Sequence, residues 1–187
     1  MHQSITGSIV PTPNSPETAD RFDKTIKFVG ETLPPPAKLL DLGQPNPHAR
    51  KFQELGYTVL NTEGDLDLSP SQVSDVHVDA VTAFEILEHL VAPFNVLRAI
   101  RAPRLFATVP LRLWFAPAYR NDTDSWDRHF HEFEDWQFDW LLSKAGWRIV
   151  RRERWVPSPG GMPLGIRPLL RRLTPRWYAI EAIRESS

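Results

Sequence analysis

Cysteine is missing from all 187 residues. Disulfides, thiolate metal ligands and a cysteine nucleophile are therefore excluded, and nothing points to an oxidising compartment. Long apolar runs are missing too, since none approaches the ~18 residues that a membrane span needs. Met1–Val10 has neither the basic start nor the apolar centre of a secretory signal, so the cytoplasm is the expected compartment. The fingerprint G-x-G-x-x-G does not occur, which argues against a nicotinamide-dependent oxidoreductase. There is no internal repeat and no sign of a second domain.

What remains is ordinary for one globular domain: 41% hydrophobic, 24% charged, and long enough to build a core without staples. The net charge of -1 hides an asymmetry, because residues 148–187 hold nine arginines against three glutamates. A basic end could meet nucleic acid or an acidic lipid surface. The preferred reading is a solvated face, since Arg148, Arg151, Arg152 and Arg154 fall in and beside a predicted strand. With no separate recognition module, nucleic acid is not the expected partner; the oligomeric state is left open.

Residues 1–14 are polar and aperiodic and are expected to form a loose arm, with a single domain over 15–187. Ser15-Pro16 offers a cap and a first helical proline. Phe22, Ile26, Val29 and Leu33 then share a helical face that runs to the Pro34–Pro36 stop. Strands are predicted over 37–42, 57–60, 78–84, 105–109, 147–155 and 177–183. Helices are predicted over 47–55, closed by Gly56, over 93–100, around Phe138–Ala145, closed by Gly146, and over 166–173. Residues 64–77 show no clear element, 111–133 read as a long aromatic loop, and Pro157–Gly161 is turn chemistry. Alternating strands and helices give an α/β, Rossmann-like, doubly wound and mainly parallel sheet with an antiparallel C-terminal strand.

The chemistry gathers at two strand ends. Lys38–Gly43 (KLLDLG) is a buried strand stopping at an acid and a glycine. Asp79–Leu90 (DAVTAFEILEHL) is a second one, opening into an acidic, histidine-bearing turn. In open parallel sheets ligands sit beyond such ends, where the strand order reverses. Together with Gly56–Glu63 and the run from His131-Glu-Phe133 to Ala145-Gly146-Trp147, these segments resemble the class I S-adenosylmethionine-dependent methyltransferases of small-molecule type. The resemblance covers roughly residues 15–155.

That resemblance implies S-adenosylmethionine as cofactor and a small-molecule methyl acceptor. It implies cofactor contacts from Asp41, Leu42 and Gly43 at the first strand end, from Glu63 on the ribose, from Asp65 near the adenine amino group, and from Phe84 and Glu85 at the later strand. Glu63 lies 20 residues beyond Gly43, a spacing that suits an acid beside a bound nucleoside; the alternative is a solvated loop acid. Asp41 could accept backbone amides of the glycine turn or attract the charged part of the cofactor. Glu88 and His89 resemble the recurrent pair of the later motif, with a role inside the turn expected, and His77 is expected at the surface.

Two departures stand out. Where the family has further glycines, this chain has Pro45 and Pro47. Pro47 can open a helix, but Pro45 removes a donor and fixes φ, which is expected to hinder the cofactor. Only about fifteen residues separate Glu63 from Asp79, where the family fits a helix and another strand, so those elements are either missing or compressed into one loop.

On the acceptor side, methyl transfer needs mainly alignment and dryness, with a base where the acceptor is a hydroxyl or an acidic carbon. The loop from Trp114 to Phe133 reads either as a lid or as cover over the core. Trp114 and Tyr119 are the expected acceptor contacts, and His131, then His129, the expected bases. His129-x-His131 shows no third ligand, so no metal site is expected. The competing function is a catalytically silent relative of the same fold, serving as a binding or scaffolding module.

Overall fold

Leu39 and Leu40 point to opposite sides of their strand, and that alternation organises the molecule. The computed structural model describes residues 16–157 and 165–185. The expected arm over 1–14 and most of the predicted 157–161 turn lie outside the described residues. In chain order the elements are α1 (Pro16–Gly30), β1 (Lys38–Asp41), α2 (Pro47–Glu54), β2 (Thr58–Asn61), β3 (Ala80–Phe84), α3 (Pro93–Ala99), β4 (Arg104–Pro110), α4 (Asp135–Lys144), β5 (Trp147–Trp155), α5 (Ile166–Leu173) and β6 (Trp177–Arg184). Short 3-10 turns occupy Pro70–Val73 and Leu87–His89.

The six strands form one sheet in the order β2-β1-β3-β4-β6-β5. Neighbours from β2 to β4 are parallel, and β6 runs antiparallel between β4 and β5. The chain leaves β1 for β2 on one side and returns to β3 on the other, so the order reverses between the carboxyl ends of β1 and β3. Side chains alternate across strands, and the core splits accordingly. Leu40, Val81, Leu105, Ala107 and Ile180 pack with α3 and α4 through Val96, Leu97, Phe138 and Leu142. Leu39, Ala80, Phe106 and Ala179 pack on the other face with Phe28 and Val29 of α1 and Phe52 of α2. This is the doubly wound, mainly parallel α/β architecture expected.

Punctuation residues set the ends. Pro16 and Pro47 begin α1 and α2, while Gly56 and Gly146 follow α2 and α4 with φ of 96° and 87°, the left-handed conformation that glycine adopts without cost. One boundary differs from expectation. α1 ends at Gly30 rather than at Leu33, and the Leu33 amide folds back on the Val29 carbonyl at 2.9 Å. Between β2 and β3 the chain makes only a loop and one 3-10 turn, so the family's extra helix and strand are absent there and β2 forms the sheet edge. No helix among the described residues is long and apolar enough to cross a membrane.

Candidate active site

Beyond the ends of β1 and β3 lies a hollow of about 820 Å³. Gly43, Asp65, Ile86, His89, Trp126 and Phe130 are among its lining residues. It lies in the crevice where the strand order reverses, the position open α/β sheets use for ligands. Its size falls within the range of small-molecule and cofactor sites, roughly 300–1,000 Å³. A second hollow of about 370 Å³ is lined by Leu111, Arg112, Tyr119, His129, Arg176 and Trp177. The wall between the two carries His89, which faces the first, and His129, which faces the second; their rings meet edge-on at 4.7 Å.

Gly43 carries the turn after β1. Its φ is 95°, the conformation that favours glycine, and a Cβ built there would sit tightly, 3.1 Å from Ile86 Cδ1. Its amide donates to Thr62 Oγ1 at 2.7 Å and its carbonyl accepts from Asn61 at 3.1 Å. Asp41, 1% exposed, does not orient the turn through backbone amides as expected. Its carboxylate accepts from Thr82 Oγ1 at 2.6 Å, from Asn46 at 2.6 Å and from Asn61 at 3.3 Å. Burial outweighs those donors and raises its pKa to about 6. Leu42 is buried in the core beneath the turn. Pro45 is exposed and does not line the hollow, while Asn46 caps α2 by accepting the Ala49 amide. The stiffened bend therefore lies beside the hollow rather than across it.

Of the two acids expected at the cofactor, Glu63 and Asp65, only Asp65 lines the hollow, and Asp67 lines it as well. Glu63 is exposed, with its main chain held by Gln72 through bonds of 3.0 and 2.7 Å. Phe84 points to the α1–α2 face, stacked near Phe52 and His48. Glu85 has a left-handed φ of 51°, unusual for a non-glycine residue, and its side chain turns to Arg21 of α1 at 2.5 Å. Neither Phe84 nor Glu85 lines the hollow, and their neighbour Ile86 does.

The long loop closes on itself through a Leu111–Phe133 bridge and an Arg112 amide to Phe133 carbonyl bond of 2.9 Å. Trp114 is 73% exposed and lines neither hollow, whereas Trp126 and Phe130 line the first and Tyr119 the second. Tyr119 donates from its hydroxyl to Asp127, which also accepts from Asn121. His131, the preferred base by sequence, stacks on Phe133 and donates to the Val91 carbonyl at 3.2 Å, beside a separate depression. His129 is well placed between the hollows, but burial, then His89, lower its pKa to about 4. A group that holds its proton so weakly is a poor base at neutral pH. Sequence reasoning treated Glu88 as a turn residue and passed over His48. Glu88 is 1% exposed, and His48 lies between Phe22 and Phe84.

No family model matches the sequence, and no curated protein matches it. Solved structures do match. The 1,6-didemethyltoxoflavin-N1-methyltransferase of Burkholderia thailandensis, solved with 1,6-didemethyltoxoflavin and S-adenosylhomocysteine, is 20% identical, with 88% of this chain and 78% of that chain covered and a TM-score of 0.62. An S-adenosylmethionine-dependent methyltransferase of Archaeoglobus fulgidus is 14% identical, with 87% and 94% covered and a TM-score of 0.56. The fold is that of a class I S-adenosylmethionine-dependent methyltransferase. The cyclase SpnF also superposes, at 16% identity, 88% and 81% coverage and a TM-score of 0.55. Within this methyltransferase fold, the larger hollow coincides with the strand ends at Gly43 and Ile86 that the sequence resemblance marks out.

Proposed function

We propose that the protein is an S-adenosylmethionine-dependent methyltransferase acting on a small-molecule acceptor. The observation that carries this reading is the 820 Å³ hollow at the switch point, lined by a glycine whose left-handed φ of 95° disfavours any side chain. The residues fit the cofactor. Gly43 lets the ligand approach the backbone, Asp65 accepts from its hydroxyl or amino groups, and Leu66, Ile86 and Leu90 offer apolar contact. Bound there, the cofactor supplies a methyl group on a positively charged sulfur. The chain contributes alignment and exclusion of water, for which Trp126 and Phe130 at the rim are suited. The second hollow, beyond His129 and Tyr119, takes the acceptor. Arg112, Arg176, Glu132 and Tyr119 at its lining offer polar groups of both signs to an acceptor.

Calorimetric titration with S-adenosylhomocysteine tests the reading. Micromolar binding is expected, weakened roughly tenfold or more in Asp65→Ala, whose half-buried side chain is outside the core, and abolished in Gly43→Val. No heat and no thermal shift at millimolar ligand would overturn it.

The second reading is a binding module of the same fold that transfers no methyl group. It draws on the internal commitments of the turn, where the Gly43 amide is taken by Thr62 and the Asp41 carboxylate by three side chains. The structural likeness to SpnF, a cyclase, also shows that fold alone does not fix the reaction.

A further inference from the structure

Glu88 is a charged side chain where a charge is costly. It is 1% exposed and its Oε2 has no hydrogen-bond partner. Arg21, whose charge reaches this corner, is paired with Glu85 Oε2, and Glu85 Oε1 is itself buried without a partner. Two orphaned carboxylate oxygens in one buried corner call for a cation that the side chains do not supply.

Two imidazoles complete the corner. Ligand atoms of Glu88, His89 and His129 all lie within 4.8 Å of one another. The Arg128 carbonyl can only accept, so its 3.1 Å contact with His89 Nδ1 places the proton on that nitrogen. The lone pair then sits on Nε2, 3.8 Å from Glu88 Oε1. A carbonyl that fixes the far nitrogen is the outer-shell device by which proteins orient metal-binding histidines.

The geometry is also held from behind. The Phe130 and His131 amides both donate to the Glu88 carbonyl, at 2.8 and 3.2 Å, so the loop bearing His129 is stapled to the turn bearing Glu88 and His89. Donors around a tetrahedral ion stand about 3.3 Å apart, given bonds of about 2.0–2.1 Å. From separations of up to 4.8 Å the cluster would need to close by up to about 1.5 Å, within reach of side-chain rotation.

We propose that Glu88, His89 and His129 form a binding site for a single divalent transition-metal ion, of which zinc is the type, in the wall between the two hollows. Two imidazole nitrogens and one carboxylate select against magnesium and calcium, which prefer all-oxygen shells. Three protein ligands leave a position open to water or to an oxygen of whatever fills the second hollow. The expected absence of a metal site came from pairing His129 with its neighbour His131. The fold instead pairs it with residues forty positions earlier.

The test uses the untagged full chain, stripped with chelator and titrated with zinc chloride alone. One equivalent is expected to bind, with affinity lowered roughly tenfold or more in both Glu88→Gln and His129→Ala and unchanged in His77→Ala. Cobalt(II) in place of zinc is expected to show visible absorption bands that both site variants lose. Equal zinc binding in wild type and both variants, or none at all, would overturn the site. Should Glu88→Gln fail to fold, His129→Ala on the surface loop and the cobalt spectrum decide alone. The proposal does not rest on methyl transfer, and S-adenosylhomocysteine binding measured without metal separates the two.

Discussion

Two buried titratable groups near the strand ends pull stability in opposite directions with pH. Asp41 has its pKa raised to about 6 by burial, so the folded state holds a proton that the unfolded chain has released. Its favourable contribution is present below the ordinary value of 3.8 and is lost as pH rises through about 6. At about 1.4 kcal/mol per unit, the full effect is about 3 kcal/mol. His48 is the reverse case. Burial, then Arg21, lower its pKa to about 4, so its contribution is present above 6.5 and is lost as pH falls from 6.5 toward about 4. In wild type the slopes oppose each other over nearly one interval. Urea midpoints between pH 7.5 and 5 should therefore fall more steeply on acidification in Asp41→Asn than in wild type. In His48→Phe, which fills the space between Phe22 and Phe84, they should rise. Parallel curves for all three proteins would refute the assignment. At this scale the sequence was a poor guide. It marked Asp41 as a strand-end acid, but the Thr82, Asn46 and Asn61 donors come from three separate segments, and no local pattern announces such convergence.

At the scale of elements the sequence was far more legible, because proline and glycine act locally. Pro47 and Gly56 bracket α2 and Gly146 closes α4, each through its own φ or its missing amide. The central strands showed themselves as short apolar runs, and the glycine turn after β1 was found by its Asp-x-Gly ending. Pro45, expected to hinder the cofactor, stands outside the lining of the hollow because a turn's direction is set by its partners. Asn46 ties the bend to Asp41 and caps α2, which leaves Pro45 facing solvent. Pro45→Gly should accordingly leave S-adenosylhomocysteine affinity within about twofold of wild type, and Asn46→Ala should cost about 1–2 kcal/mol of stability by thermal or urea melting. A large affinity gain in Pro45→Gly would mean the proline does obstruct the site. The Glu88–His129 pairing was out of reach at this scale, since the 111–133 loop has no period from which its path could be read.

Across the whole molecule, the two faces of the sheet are stabilised separately. α1 seals one face chiefly through Phe28, which meets Phe106 and Trp155 edge-on at 6.2 and 6.0 Å under the Arg151 guanidinium. Phe28→Ala should cost about 3–5 kcal/mol, read as a large drop in melting temperature. A loss below 1 kcal/mol would show that α1 is only loosely docked. The topology was legible because alternating strand and helix periods leave few ways to wind a sheet. The truncation after β2 showed only as a short interval, and whether elements were lost or compressed could not be read from length.

That truncation has a mechanical consequence. With no further strand to lean on, the segment after β2 is moored elsewhere: both oxygens of Asp67 receive the Val91 and Ala92 amides, at 2.7 and 2.8 Å, just ahead of α3. Loop and helix start are thereby clamped into one rim, so a guest entering the larger hollow meets a mouth whose width is preset by a single carboxylate, and cutting that clamp should loosen the entrance without disturbing the floor.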